Sequence, residues 1–194
     1  MPRDRRDLPP LAPPSVVFVC DASGSMIGLP FDLLKIELRK AVAALGPQQS
    51  FNVVFFKKGG AQALSDKELL RADEKNKAAA YEWIARQQVA SNSDPIPSLR
   101  LALSQRPHML YLLTDGWFDD NDAVIAELRR SNAARRTRIN TIAFFAPDAV
   151  EADRRMCEDV LKRIAADNGG RFRVVLTSDL APDGTTPRGA GPTP

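Results

Sequence analysis

The chain of 194 residues has few of the side chains that cross-link small domains or move protons in catalysis: two cysteines and one histidine. Cys20 falls within an apolar run and Cys157 within a predicted helix, so we do not expect a disulfide framework. His108 stands at the opposite end of its apolar run from the acidic residue that follows the run. This makes it a poor candidate for chemistry, and the sequence points away from histidine-based catalysis.

Long apolar runs and a strong charge of one sign are also missing. No apolar run approaches the roughly 20 residues that span a bilayer, and the N-terminus lacks the apolar core of a secretory signal. The net charge is +3, and the pI of about 9.0 rests on a small excess of arginine. We therefore expect no membrane insertion by this chain and no nucleic-acid partner, while its compartment stays open.

The most informative stretch is an uninterrupted apolar run, residues 15–20, which changes abruptly into DASGSM at residues 21–26. A run without alternation predicts a strand buried on both faces, at the centre of a parallel sheet. Ligands bind at the carboxyl ends of such strands. The pattern D-x-S-x-S places the oxygens of Asp21, Ser23 and Ser25 on one tight loop there. Hard cations such as Mg²⁺ take ligands of this kind.

Strand-like runs alternate with helical patterns along most of the chain. The runs lie at residues 15–20, 50–56, 108–114, 139–145 and 172–176, with a short edge strand at 61–64. We expect Ser65 to cap a single helical turn, and Met156, Val160 and Ile164 to form the buried stripe of a helix over 149–167, with Cys157 and Leu161 beside them. The rhythm predicts an α/β fold with a doubly wound, mostly parallel sheet, one short antiparallel edge strand and helices on both faces.

Proline-rich segments flank this pattern. Residues 1–14 mix charges with five prolines and carry no periodic apolar pattern, and residues 179–194 are similar. We predict disordered tails at both ends and one domain over residues 15–178. Tails at both ends suggest a domain that belongs to a larger protein or assembly.

A second acidic strand end follows later in the chain. Asp115 and Gly116 come directly after the apolar run 108–114, and Ser93 lies on a polar loop that enters the preceding helix. Because the carboxyl ends of parallel strands share one edge of a sheet, we expect these oxygens to converge. The set consists of Asp21, Ser23, Ser25, Ser93 and Asp115. Its three neutral hydroxyls would leave Mg²⁺ under-neutralised and ready to accept a carboxylate from a partner.

With these motifs the chain resembles a von Willebrand factor type A domain over residues 15–178. Asp21, Ser23 and Ser25 match the D-x-S-x-S motif of that family, and Thr114-Asp115-Gly116 matches its later T-D-G element. Between the two, the family carries a threonine ahead of a helix, and by order and context Ser93 takes its place.

The resemblance implies a function. In that family the motif forms the metal-ion-dependent adhesion site, a Mg²⁺ or Mn²⁺ centre that captures an acidic residue of a partner protein. We expect a protein-binding adhesion or scaffold module, and no enzyme. Some such domains serve as scaffolds without metal, which is one alternative.

An enzyme of another class is the second alternative. A strand-end aspartate followed by a later aspartate on the same edge resembles haloacid-dehalogenase-type phosphatases, in which the first aspartate is the nucleophile. The motif of those enzymes is D-x-D-x-[TV], and the second aspartate of this motif serves as general acid and base. Here Ser23 takes that position and cannot protonate a leaving group at neutral pH. The phosphate-binding G-x-x-x-x-G-K-[ST] loop is also missing.

Two further features are open to interpretation. Trp117 and Phe118 follow the T-D-G element outside any apolar stripe, and we expect Trp117 to be an anchor for a partner, whereas Phe118 is either core or surface. Arginines cluster where a predicted helix ends, at Arg129, Arg130, Arg135, Arg136 and Arg138. A solvated face favoured by the helix dipole explains them, and an acidic partner is the alternative.

Overall fold

The computed structural model describes residues 14–91 and 94–175. Seven strands and five helices follow one another along these residues, with one 3₁₀ turn at Gly24–Met26. The strands are β1 (Val16–Asp21), β2 (Ser50–Lys57), β3 (Gly60–Ala63), β4 (Leu70–Arg71), β5 (Met109–Thr114), β6 (Arg138–Phe144) and β7 (Phe172–Val175). The helices are α1 (Leu29–Ala43), α2 (Glu74–Ala85), α3 (Ile96–Ser104), α4 (Asn121–Ser131) and α5 (Glu151–Asp167).

The strands form one sheet in the order β3-β2-β1-β5-β6-β7, with β4 also beside β2. Neighbouring strands from β2 to β7 along this order are parallel, whereas β3 and β4 run antiparallel to β2. The fold prediction is confirmed, with β4 as an addition at the antiparallel side. From β1 the chain moves to β2 on one side and later returns to β5 on the other, so the strand order reverses between β1 and β5.

Each face of the sheet packs against its own layer of helices. In β1, Phe18 and Cys20 belong to the core under α1 and α2, whereas Val17 and Val19 belong to the core under α3, α4 and α5. Every residue of β1 is buried. Burial on both faces is the reason that this strand has no polar alternation in sequence.

The predicted helical turn at Ser65 is wrong. Asn52, on β2, accepts a hydrogen bond from the Ser65 N–H at 3.1 Å and donates to the Ser65 carbonyl at 2.6 Å. These bonds hold Ser65 against β2, and the chain bends and then pairs with β2 again as β4. The Ser65 hydroxyl still accepts the Glu68 N–H at 3.3 Å, but this bond closes a bend and no helical turn forms.

The buried stripe of α5 includes the predicted Ile164 and the Cys157 and Leu161 predicted beside it, but the prediction is wrong for Met156. Met156 is 49% exposed, and the stripe consists of Cys157, Leu161 and Ile164 with Ala165. Thr141 on β6 fixes this orientation, because its hydroxyl donates to the Leu161 carbonyl at 2.9 Å. Met156 is thereby placed on the surface at the end of the helix nearest the carboxyl edge of the sheet.

Several predictions lie outside the described residues. These are the tails apart from Pro14, the end of the predicted domain beyond residue 175, and Ser93. Among the residues that the structure describes, no helix combines the length and the apolar character needed to cross a membrane. Both cysteines are buried and free.

Candidate functional site

The carboxyl end of β1 holds a buried carboxylate. Asp21 is the last residue of β1 and has no exposed surface. Its Oδ1 accepts the Ser23 N–H at 2.8 Å, and its Oδ2 accepts the Thr114 hydroxyl at 2.5 Å. The first bond closes a tight Asp turn, and the second joins β1 to β5 across their parallel pairing. The carboxylate is therefore fixed in position before any ligand binds.

The second carboxylate follows the neighbouring strand. Asp115 comes directly after β5, and its Oδ1 accepts the Trp117 N–H at 2.9 Å. The Thr114 hydroxyl, which donates to Asp21, also accepts the Gly116 N–H at 3.0 Å. Since the strand order reverses between β1 and β5, both carboxylates lie at the position where α/β sheets bind ligands.

Two hydroxyls join the carboxylates. Ser23 is buried and Ser25 is exposed, and their Oγ atoms lie 3.0 Å apart in the loop after β1. The Ser25 hydroxyl also hydrogen-bonds the Asp115 carboxylate. The structure thus brings together four of the five predicted metal-binding residues. No group of three or more histidine, cysteine, aspartate or glutamate side chains in the described part of the chain could hold a metal, so hydroxyls are indispensable to such a site.

Within residues 14–91 and 94–175, no basic side chain is among the groups that shift the pKa of either carboxyl of this pair. Burial raises the pKa of Asp21 from 3.8 to about 7, with a contribution from repulsion by Asp115, although hydrogen bonds from Ser23 and Thr114 oppose the rise. Burial also raises the pKa of Asp115. Two nearby carboxylates and two hydroxyls, all hard oxygen donors with excess negative charge, fit a divalent cation of the Mg²⁺ type.

The fifth predicted residue, Ser93, lies outside the described residues, but both of its flanks are defined. The Ala90 N–H donates to the Ala22 carbonyl at 2.8 Å, beside Asp21. A Cβ added to Gly24 would lie 3.8 Å from the Ser91 Cα. After the gap, the Asp94 carboxylate accepts the Ile96 N–H at 2.9 Å at the start of α3. The flank that precedes Ser93 therefore lies beside the loop after β1, and the flank that follows it begins α3.

The loop after Asp115 is held against α5. Gly116 has φ 84°, and a Cβ there would lie 3.0 Å from the Leu161 side chain and 3.1 Å from the Cys157 carbonyl. A residue with a side chain is disfavoured there both by backbone conformation and by the tight space. Phe118 then turns inward and is 8% exposed, whereas Trp117 is 51% exposed. Phe118 is thus core, which answers the alternative that the sequence left open.

The exposed apolar side chains concentrate around this site. Among the described residues, the large hydrophobic side chains left exposed are Ile27, Leu29, Trp117, Val150 and Met156. All five lie in loops that follow the carboxyl ends of strands, or in the first two turns of helices that start there. Trp117 and Met156 line a cavity of about 250 Å³ between the loop after β5 and α5. Exposed apolar clusters rimmed by polar groups are typical of interaction surfaces.

Two contributors to this site were missed in the sequence. Thr114 was read only as part of a motif, yet its hydroxyl contacts Asp21 directly; a threonine immediately before a strand-end aspartate was the available signal. Met156 was assigned to the core because helical periodicity does not fix which of two adjacent rows faces inward.

The family comparison agrees with this geometry. The sequence profile described as "von Willebrand factor type A domain" matches residues 14–174. No curated protein matches the chain significantly in sequence.

Solved structures share the fold at low sequence identity. A von Willebrand factor type A protein from Catenulispora acidiphila is 21% identical with a TM-score of 0.64, over 85% of this chain and 39% of that one. The pilus adhesin SpaC from Lactobacillus rhamnosus GG is 13% identical with a TM-score of 0.68, over 86% and 28%. The SpRpn10 VWA domain is 16% identical with a TM-score of 0.55, over 84% and 87%.

This chain therefore spans less than half the length of the first two structures. With a family profile that covers most of its length and a sheet of the expected topology, the chain belongs to the von Willebrand factor type A domain family.

Proposed function

We propose that this domain is a protein-interaction module that binds a divalent cation, Mg²⁺ or Mn²⁺, and through it a carboxylate of a partner protein. The observation that carries the proposal is the pair formed by the buried Asp21 and the partly exposed Asp115, with its hydroxyls, surrounded by the exposed apolar side chains of the same edge. The proposed ligands are Asp21, Ser23, Ser25, Ser93 and Asp115.

Each ligand has a defined task in this proposal. Asp21 and Asp115 supply the negative charge that attracts the cation, and Thr114 and the Ser23 N–H hold Asp21 in place. Ser23, Ser25 and Ser93 supply neutral oxygens, so that the bound cation would keep positive charge for a partner's carboxylate. The positions of Ala90, Ser91 and Asp94 support a place for Ser93 in this shell.

The surrounding surface supports a protein partner. Trp117 is half exposed beside Asp115, and with Met156 it borders a cavity into which an apolar side chain of the partner would pack. One structural relative is titled a pilus adhesin, which is in keeping with a binding role. Ser23, in place of the acid/base carboxylate of phosphatases, favours binding over phosphoryl transfer.

Metal binding is the first test. Calorimetric titration of the EDTA-treated chain with MgCl₂ and MnCl₂ should show one site, and the melting temperature should rise. At a hundredfold excess over Kd the stabilisation is about 2.7 kcal/mol. Asp21→Ala should abolish both signals.

Asp119→Ala is the matched control, because Asp119 is an exposed carboxylate on the same edge that is not a proposed ligand. It should retain binding and the melting shift. No heat and no shift in the wild-type chain would refute the metal site and leave a metal-free scaffold as the better reading. Hydrolysis of p-nitrophenyl phosphate that is lost in Asp21→Asn would instead favour the phosphatase.

A further inference from the structure

The amino edge of the sheet carries a second, unrelated feature. A cavity of about 420 Å³ opens where β5 and β6 begin, at the far end of these strands from the candidate metal site. Its lining includes His108, Asn168 and three arginines, Arg135, Arg136 and Arg138, which we call the arginine face. All three arginines and His108 are exposed.

Helix capping and internal ion pairs account for only part of the arginine cluster. Arg129 pairs with Asp167 at 3.0 Å and Arg130 pairs with Glu127, and both arginines lie in the last turn of α4, where the helix dipole favours cations. The arginine face lies beyond Asn132, the C-cap of α4. Among the described residues no ion pair reaches it. Three like charges within four positions thus remain without a counter-charge.

The segment that carries the arginine face is fixed by its neighbours. The Asn132 side chain donates to the Thr137 carbonyl at 2.8 Å and to Asn168 Oδ1 at 2.9 Å. The Thr137 hydroxyl donates to the Pro107 carbonyl at 2.7 Å. The backbone is therefore held in place without a ligand, which lowers the entropic cost of binding one.

Backbone strain accompanies the cluster. Arg135 has φ 48° and Arg106, two residues before His108, has φ 52°; in the described chain these are the non-glycine residues with positive φ. A side chain in this region costs about 1 kcal/mol, and glycine would avoid the cost. An arginine at position 135 thus costs backbone energy that glycine would not, which is in keeping with a binding role for the Arg135 side chain.

His108 adds a polar ring to the same cavity. Its Nδ1 accepts the Ser15 N–H at 3.1 Å, which holds the ring in place.

We propose that the arginine face binds an acidic segment of a protein, with several carboxylates, at a site separate from the metal-binding edge. Guanidinium groups bind carboxylates in a bidentate manner. A compact phosphate is disfavoured because α4 and α5, the helices that border the cavity, both end there and contribute no N-terminal N–H groups to it. Among the described residues that line the cavity there is no phenylalanine, tyrosine or tryptophan on which a nucleic-acid base could stack.

The test uses the full chain in EDTA, so that no cation can bridge the probe to the carboxyl edge. Fluorescein-labelled octaglutamate is titrated by anisotropy in 50 mM salt. Replacing all three residues of the arginine face with serine should weaken binding about tenfold or more. The charge-matched triple substitution Lys58→Ser, Arg86→Ser and Arg155→Ser, at exposed sites elsewhere, should weaken it less than about threefold.

Arg135→Gly separates binding from folding. Glycine relieves the left-handed strain, so the melting temperature should stay the same or rise while octaglutamate binding weakens. A structural role for Arg135 would give the opposite, a lower melting temperature with unchanged binding, and would overturn the proposal.

Four other outcomes would also overturn it. They are no octaglutamate binding, equal loss in both triple variants, tighter binding of an octadeoxynucleotide than of octaglutamate, and competition by inorganic phosphate below 1 mM. Salt-sensitive self-association of the chain that disappears in the arginine-face variant would assign the surface to a second copy instead. None of these results depends on the metal titration.

Discussion

The two edges of one sheet differ in charge, burial and polarity. At the carboxyl edge the buried Asp21 and the partly exposed Asp115 lie among exposed apolar side chains. At the amino edge arginines and His108 line the cavity, and among the described residues none of the exposed large hydrophobic side chains lies there.

Part of this difference comes from the fold itself. Of the five helices, α1, α3, α4 and α5 begin at the carboxyl edge and end at the amino edge, so their dipoles favour anions at the first and cations at the second, whereas α2 follows the antiparallel strand β4 and runs the other way. Asp120 caps α4 at its start, and Arg129 lies in its last turn. Helix dipoles do not explain the carboxylate pair of Asp21 and Asp115, or the arginine face, which lies beyond the end of α4. We propose these two surfaces as binding sites.

A glycine allows close packing at each edge, and substitution of the one at the amino edge should cost more stability. A Cβ at Gly170 would lie 1.8 Å from the Ile139 carbonyl oxygen, within the backbone, so Gly170→Ala should cost more than about 4 kcal/mol or abolish folding. Gly116→Ala should cost about 2 to 3 kcal/mol, because the Leu161 side chain can partly yield. Gly59→Ala, at φ 97° in open space, is the control and should cost about 1 kcal/mol. Urea denaturation measures all three, and equal losses would contradict this ranking.

The two aromatic residues after Asp115 separate core from surface at the carboxyl edge. Phe118→Ala should cost about 3 kcal/mol of unfolding free energy, since Phe118 is buried. Trp117→Ala should change the free energy of unfolding by less than about 0.5 kcal/mol. It should weaken the binding of a partner by about 2 kcal/mol, where the partner is one that no longer binds in EDTA. Thermal melting and calorimetry give the two quantities. A large loss of stability in Trp117→Ala with unchanged affinity would make Trp117 a core residue.

The buried carboxylate should make the carboxyl edge sensitive to pH. The folded pKa of Asp21, about 7, is above its unfolded value near 3.8, so the folded state binds more protons in this interval. Stability in EDTA should therefore fall as pH rises from 5 to 7, by about 2 kcal/mol from this group.

Asp21→Asn isolates that contribution, because the difference in unfolding free energy between wild type and variant should change by this amount over the same interval. The matched variant Asp119→Asn should leave the pH dependence unchanged. A wild-type profile parallel to that of Asp21→Asn would show that Asp21 is already ionised in the folded protein.

The sequence was sufficient for the central elements of the site. A run buried on both faces could only be a central strand, and the aspartates after two such strands had to share an edge. Asp21, Ser23, Ser25 and Asp115 followed from this, and the structure places them together. Ser93 and the identity of the metal stay predictions.

Other features required contacts between distant parts of the chain. Ser65 had a local preference for a helical turn, but Asn52 on β2 holds it beside the sheet. Met156 fitted the apolar period of α5, but the bond from Thr141 to the Leu161 carbonyl turns it to the surface. Neither Asn52 nor Thr141 is close in sequence to the residue it controls.

The sequence by itself determined the α/β class, the strand that carries Asp21 and the chemistry of the oxygen donors, because these depend on apolar periodicity and on side-chain type. Only the tertiary structure decided which exposed groups lack a partner. Five arginines look alike in sequence, yet two have carboxylate partners on the described elements and the arginine face has none. Burial and ion pairing depend on which elements pack side by side, and the order of residues along the chain does not show which elements these are.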